Sequence, residues 1–301
     1  MNLDFLDDPS VTVGRQENYI ASEEALTTPH GANILDTIQW YASEAIYDLH
    51  RIVVDGGDMK PSNCLKAMAN IRDSSVDIVN ISAGKMHDDC QQQCRLCDAA
   101  KAVAESGTVV VAAAGNDVRN DGNTMYCPAL SDQTISVGSF ESVCTREISL
   151  ANGQKIYRPS LTIHPPGAYW IRDTKHASEG EPVDQPFCSC RNCMPGCTCA
   201  EYRKEQLSPQ TIKFDHGEPD VFAPDHLIVE RDNGEAGIER GSSYATAIVS
   251  GALAGVLSTL SEQRVLPRPE EVNRAISSIN QTVGDTPHRR FDSKAVYYEL
   301  L

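Results

Sequence analysis

The stretch Gly241-Ser242-Ser243-Tyr244-Ala245-Thr246-Ala247-Ile248-Val249-Ser250-Gly251 puts two hydroxyls where a small-residue turn runs into an apolar helix. Apolar positions continue at helical spacing through Ala252, Leu253, Val256, Leu257 and Leu260, which predicts a helix buried on most sides. A hydroxyl at such a start has two uses. It can cap the helix by accepting a bond from a free backbone N–H. It can also serve as a nucleophile, because those free N–H groups and the positive end of the helix dipole stabilise a developing anion. Taken alone, the stretch favours capping, and its weight as a nucleophile depends on partners upstream. One is His30, in Pro29-His30-Gly31-Ala32-Asn33. A histidine at a helix start is by itself a common surface residue. Here it opens a helix whose apolar residues Ile34, Leu35 and Ile38 share a face.

The elements that must hold these residues alternate. Strands are expected at Leu3 to Leu6, Val11 to Val13, Ala45 to Val54, Val76 to Ile81, Thr108 to Ala114 and Thr134 to Gly138, with a polar loop over Glu17 to Thr28. Helices are expected from His30, from Pro61 to Ile71, from Ala99 to Ser106 and from Pro269 to Ile276. Thr108 to Ala114 is continuously apolar, the pattern of a strand covered on both faces in a parallel sheet. Strands alternating with helices predict an α/β fold, in which chemistry gathers at the carboxyl ends of the strands. Asp7, Ser82-Ala83-Gly84 and Asn116 lie at predicted carboxyl ends, so they and the helix starts at His30 and Ser243 can face one crevice.

In order along the chain, these blocks resemble the subtilisin-like serine proteases, the subtilases. Gly241-Ser242-Ser243-Tyr244-Ala245-Thr246-Ala247 matches the family's Gly-Thr-Ser-x-Ala-x-Pro except for Ser in place of Thr and Ala in place of Pro. His30-Gly31-Ala32-Asn33 matches the first half of its His-Gly-Thr-His, and Ala113-Ala114-Gly115-Asn116 matches Ala-Ala-Gly-Asn in full. Asn80 to Gly84 resembles the substrate-cleft segment, Pro219 to Pro224 the strand before the nucleophile loop, and Phe291 to Val296 the C-terminal close. The resemblance implies one subtilisin-like domain over residues 1–301, a central mostly parallel β-sheet flanked by helices in three α/β/α layers. It implies that Ser243 attacks a peptide carbonyl, that His30 takes and returns the proton, and that a buried carboxylate orients the imidazole. It also implies that the Asn116 amide and the Ser243 N–H bind the oxyanion. Ser82, Ala83 and Gly84 with Ala113, Ala114 and Gly115 would then pair with an extended peptide substrate.

The carboxylate is where the sequence departs most. The strand Leu3-Asp4-Phe5-Leu6 ends in Asp7, but Asp8-Pro9 stands where the family has a small residue and Gly, and Asp7 is closer to His30 than is usual. Asp7 is the expected third member, with Asp8 and Asp4 behind it. If none reaches His30, the chain is a weak enzyme or a peptide-binding module on the same fold, since losing the triad Asp costs about 10⁴-fold. Ala247 in place of Pro is read as a tolerated change; the other reading is a slightly larger site favouring an amine acceptor over water, which makes a peptidyl transferase.

Eleven cysteines form the remaining departure. Cys188, Cys190, Cys193, Cys197 and Cys199 fall within an insertion at residues 145–216 that is rich in Pro, Gly and charge and lacks the apolar content for its own core. Such a segment suits a metal staple, structural zinc first and an iron–sulfur cluster second, ahead of disulfides or free thiols. Cys90, Cys94 and Cys97 form a second set, with His87 just before it. Cys64, Cys127 and Cys144 read as buried small hydrophobes. The peptidase chemistry itself needs no cofactor.

Acidic residues outnumber basic ones 42 to 26, and the net charge of −16 disfavours nucleic acid and anionic membrane as partners. The same acidity also suits a high-salt environment. No signal peptide or membrane span is visible. With so many cysteines, this predicts a cytoplasmic protein. The six residues before Asp7 encode no propeptide, so restraint is expected from metal occupancy, a regulatory protein partner or narrow specificity.

Overall fold

The computed structural model describes residues 11–20, 30–53, 59–85, 94–116, 125–149, 155–159, 203–208, 217–230 and 236–301. Asp4, Asp7, Asp8, His87, Cys90 and the five cysteines from Cys188 to Cys199 lie outside them. The strands are β1 (Thr12–Asn18), β2 (Ile46–Arg51), β3 (Ile78–Ile81), β4 (Val109–Ala113), β5 (Thr134–Ser149), β6 (Lys155–Pro159), β7 (Arg203–Leu207), β8 (Val221–Pro224), β9 (His226–Glu230) and β10 (Ala236–Arg240). The helices are α1 (His30–Gln39), α2 (Pro61–Arg72), α3 (Arg95–Glu105), α4 (Ser242–Glu262), α5 (Pro269–Ser277) and α6 (Ser293–Leu300).

Strands β3, β4, β5 and β8 lie side by side and parallel, with Ile78 opposite Val109, Val110 opposite Thr134 and Val137 opposite Val221. Every residue of β4 is buried. Its alternation decides what covers each face. Val109 and Val111 pack with Ala245, Val249, Leu253 and Leu260 of α4 and with α5 and α6. Val110 and Ala112 pack with Cys64, Met68 and Ile71 of α2 and with Ala100, Val103 and Ala104 of α3. Helices on both faces of a parallel sheet give the three-layer α/β/α arrangement. This also explains the apolarity of α4, which by length and composition could cross a membrane but is mostly buried as the core helix.

Three elements differ from the sequence expectation. β1 runs on to Asn18, into the stretch read as a loop, because it pairs in parallel with β2 from Thr12↔Ile46 to Asn18↔Arg51. α3 begins at Arg95 rather than Ala99, because the Cys94 sulfur caps it by accepting from the Cys97 N–H. β5 continues far beyond Gly138 and takes antiparallel partners in β6 and β7, so the start of the cysteine-rich stretch is drawn out as sheet. In both strands, pairing with a neighbour overrides the local polar composition.

Candidate active site

α4 carries the nucleophile candidate and its surroundings fix the entry turn. Gly241 sits at φ 144°, a conformation that L side chains rarely adopt, and a Cβ there would lie 2.9 Å from Asn116 Nδ2. Its missing side chain lets the amide in. Asn116 Oδ1 accepts from the Ser242 N–H at 2.9 Å, and the Gly115 N–H donates to Ser242 Oγ at 3.2 Å. Ser242 therefore ties the end of β4 to the start of α4. The carbonyl side of the Asn116 amide is used within the protein, and among the described residues its NH₂ has no such bond, which makes it the side that can face a ligand. The Ser243 N–H belongs to the first turn of α4, where helix geometry supplies no acceptor, and none is recorded for it among the described residues. An amide NH₂ held beside Gly241 and the helix N-terminal N–H of Ser243 are donors that can stabilise an oxyanion.

Ser243 and Ser82 hold each other. Ser243 Oγ donates to the Ser82 carbonyl at 3.1 Å, and Ser82 Oγ donates to the Ser243 carbonyl at 2.8 Å. Behind them Asn80 Nδ2 donates to Ser82 Oγ at 3.0 Å, and Ser250 Oγ donates to Asn80 Oδ1 at 3.0 Å. This chain links the end of β3 to α4 at Ser243 and again about two turns later at Ser250. Sequence reasoning quoted Asn80 and Ser250 without giving them this role, because residues 170 positions apart reveal contact only after folding. The available signal was a polar Asn at an inward position of an otherwise apolar strand.

His30 opens α1 and is exposed, with its ring 5.7 Å from that of Tyr244. α1 reaches this place because it packs into a notch on α4. A Cβ on Gly251 would lie 2.7 Å from the Ile38 carbonyl oxygen, and one on Gly255 would lie 3.0 Å from that of Tyr41. The next turn, Tyr244, Ala247 and Ile34, is closed by a small apolar cluster. Ala247, where the family pattern has Pro, is wholly buried in that contact.

The two segments expected to receive substrate are not equivalent. The Ala114 N–H donates to Val137 O at 2.9 Å, and its carbonyl accepts from Tyr126 N–H at 2.9 Å. The Gly115 N–H is taken by Ser242. This leaves Ala113 to Gly115 little ladder edge to offer a peptide. On the other side the Lys85 N–H and carbonyl pair with Cys127, and Ala83 and Gly84 lie between that bridge and Ser82.

The structure also collects sulfur. The Sγ atoms of Cys94, Cys97 and Cys127 lie within 4.8 Å of one another. Cys64, Cys94 and Cys97 are reduced, whereas Cys127 is disulfide-bonded. Cys127 is thus buried as expected, but it is not merely a small hydrophobe. Burial pushes the Cys64 thiol up to about 11. Burial and the neighbouring Cys94 sulfur push Cys97 well above the ordinary thiol range.

Known proteins place these features in a family. The model of the subtilase family, Peptidase_S8, matches residues 36–290, which include Asn116 and Ser243 and begin beyond His30. No curated protein matches the sequence. Among solved structures, the prenylagaramide maturation protease PagA aligns with a TM-score of 0.58 at 16% identity, covering 98% of this chain and 94% of that one. A lanthipeptide protease aligns with a TM-score of 0.62 at 15% identity, covering 99% and 84%. The protease domain of PatA, solved as a point mutant, aligns with a TM-score of 0.60 at 15% identity, covering 97% and 88%.

Proposed function

The chain belongs to the subtilase family, and from that premise we propose that it is a serine endopeptidase in which Ser243 is the nucleophile, His30 the general base and acid, Asp7 the orienting carboxylate and Asn116 the oxyanion donor. The observation that carries this reading is the Gly241–Asn116 fit, in which a residue without a side chain admits an amide beside the nucleophile. A module that only bound peptides would gain nothing from it.

Ser243 Oγ, now bonded to the Ser82 carbonyl, turns toward His30 when a substrate carbonyl enters. His30 accepts its proton as the C–O bond forms. The carbonyl oxygen becomes an oxyanion held by the Asn116 NH₂ and the Ser243 N–H, and His30 then protonates the leaving amine. Water hydrolyses the acyl-enzyme by the reverse sequence of proton transfers.

Among the described residues β2 pairs with β1 and β3 pairs with β4, and a cavity of about 2190 Å³ reaches from β2 to β3 and includes His30. Asn33, one turn along α1 from His30, lines that cavity, and its buried Nδ2 has no partner among the described residues.

For a substrate, we favour a peptide that is matured by cleavage, cut with narrow specificity. The support is the likeness to structures named as maturation and lanthipeptide proteases, and a cleft with Ala83 and Gly84 as its short open edge. A cytoplasmic setting rests on the thiol-rich composition, and zinc at the insertion cysteines rests on their spacing. The test is labelling by a fluorophosphonate probe. Wild type should label and Ser243→Ala should not, while Asp7→Asn should label about 10⁴-fold more slowly. Folded wild-type protein that resists the probe would overturn the reading in favour of a binding module.

A further inference from the structure

Sulfur in a protein core needs no explanation when it occurs singly; three sulfurs converging from two separate segments do. Cys94 and Cys97 are i and i+3 about the start of α3, so helix geometry points both to one side. Cys127 comes from the segment that follows β4. Cys94 Sγ and Cys97 Sγ are 3.3 Å apart, and all three sulfurs fall within 4.8 Å of one another. A zinc ion with Zn–S bonds of about 2.3 Å in tetrahedral geometry separates its sulfurs by about 3.8 Å. The observed spacing brackets that value.

The surroundings suit a metal as well. Cys97 and Cys127 are 2% and 1% exposed, in a cluster with Leu96, Ala100 and Met59 that keeps water out. The Cys97 N–H donates to Cys94 Sγ at 3.3 Å, the kind of support a thiolate ligand takes from outside the coordination shell.

We propose that Cys94, Cys97 and Cys127 hold one thiophilic divalent cation, zinc by preference, and that this centre fixes the floor of the substrate cleft. The sequence grouped Cys94 and Cys97 with Cys90; the new element is Cys127 and what it is attached to. Cys127 pairs through its backbone with Lys85, just beyond Ser82-Ala83-Gly84. Its neighbour Tyr126 bonds to Ala114 and lies against Gly84, where a Cβ would meet the Tyr126 Cβ at 2.8 Å. An ion joining Cys127 to the start of α3 therefore anchors the segment spanning the ends of β3 and β4. The Tyr126 hydroxyl also donates to the Asn116 carbonyl at 3.3 Å, so the centre governs how a peptide sits beside the proposed oxyanion donor.

The state of Cys127 makes the centre conditional. Its sulfur is disulfide-bonded here, and a ligand must be a thiolate. Two equivalents of a low-molecular-weight thiol reduce that disulfide to two protein thiols and become one disulfide themselves. The cation then displaces the protons of Cys94, Cys97 and Cys127, with three protons released to solvent. Exchange with a low-molecular-weight disulfide, which is reduced to two thiols as the Cys127 disulfide re-forms, removes a ligand and expels the ion. The cleft floor is metal-bound under reducing conditions and metal-free under oxidising ones.

The experiment uses full-length protein, reduced with a phosphine and stripped with a chelator. It is titrated with Co(II) and, in parallel, with zinc before alkylation by N-ethylmaleimide and peptide mapping. The expected result is the absorption of a tetrahedral cobalt–thiolate site and zinc-dependent protection of Cys94, Cys97 and Cys127. Cys94→Ser, Cys97→Ser and Cys127→Ser should each remove one cobalt equivalent and abolish zinc-dependent protection of the other two cysteines of this set, whatever binds at Cys188 to Cys199. Cys64→Ser, in the same core but outside the cluster, should bind as wild type does. The alkylation map needs no variant to fold. Zinc that protects only Cys188 to Cys199, or folded variants that bind cobalt as wild type does, would overturn the proposal. Both readouts are independent of peptidase activity, so a failure of the nucleophile leaves the metal question intact.

Discussion

Gly241→Ala isolates the feature on which the catalytic reading depends. The new Cβ would sit 2.9 Å from Asn116 Nδ2 and 3.3 Å from Oδ1. The first distance is shorter than real Cβ atoms tolerate, so the amide must move. Moving it breaks the 2.9 Å bond from the Ser242 N–H that aims it. The backbone contributes separately, since φ 144° costs a residue with a side chain about 1–3 kcal/mol. Displacing one oxyanion donor costs ~10²–10³-fold in turnover, about 2.7–4 kcal/mol of transition-state stabilisation. The assay is the rate of fluorophosphonate labelling, which builds negative charge on an oxygen in the same place, together with thermal melting. Gly241→Ala should label ~10²–10³-fold more slowly. The double variant Gly241→Ala/Asn116→Ala should label no more slowly than Asn116→Ala alone, because both changes remove one interaction. Labelling of Gly241→Ala at the wild-type rate would refute the reasoning. So would losses that multiply in the double variant, since Gly241 would then act through something other than Asn116.

Three other outcomes follow from the same geometry. Gly251→Ala places a methyl 2.7 Å from the Ile38 carbonyl oxygen; this overpacking should cost ~1–3 kcal/mol, outweigh the gain in helix propensity, and slow labelling as α1 carries His30 away, which melting and probe kinetics measure together. Arg240 pairs with Glu141 at 2.6 Å, with Glu141 nearly buried and Arg240 partly exposed, so Arg240→Ala should destabilise by somewhat less than the ~3–5 kcal/mol of a fully buried broken pair, read by denaturant unfolding. Burial lowers the His50 pKa from 6.5, with Asp48 and Glu17 opposing and Arg15 assisting; the stability this contributes is full above pH 6.5 and is lost as pH falls toward the folded-state value. Wild type should therefore lose more stability than His50→Gln between about pH 7 and about pH 5, and equal losses would exclude the assignment.

The site was legible in sequence wherever chemistry is local. Gly241-Ser242-Ser243 announced a helix start with hydroxyls at its first residues, because small residues and an apolar run are adjacent in the chain. Thr108 to Ala114 announced a strand covered on both faces, because nothing polar interrupts it. The reach of β1 and β5 was not legible: a polar segment becomes strand only when a neighbouring strand satisfies its backbone, and composition carries no record of that neighbour.

What the sequence determined by itself is the order of parts: a histidine helix, an Ala-Ala-Gly-Asn strand end, a Gly-Ser-Ser helix start, and the family that has them in that order. These are short-range patterns, fixed by propensity and by the chemistry of single residues. The tertiary structure decided which parts meet. It set Gly251 and Gly255 beneath Ile38 and Tyr41 so that α1 delivers His30. It ran Ser250, Asn80 and Ser82 into a support for Ser243, and it carried Cys127 to Cys94 and Cys97. Each is a contact between distant segments, chosen by packing the sheet between its two helical layers.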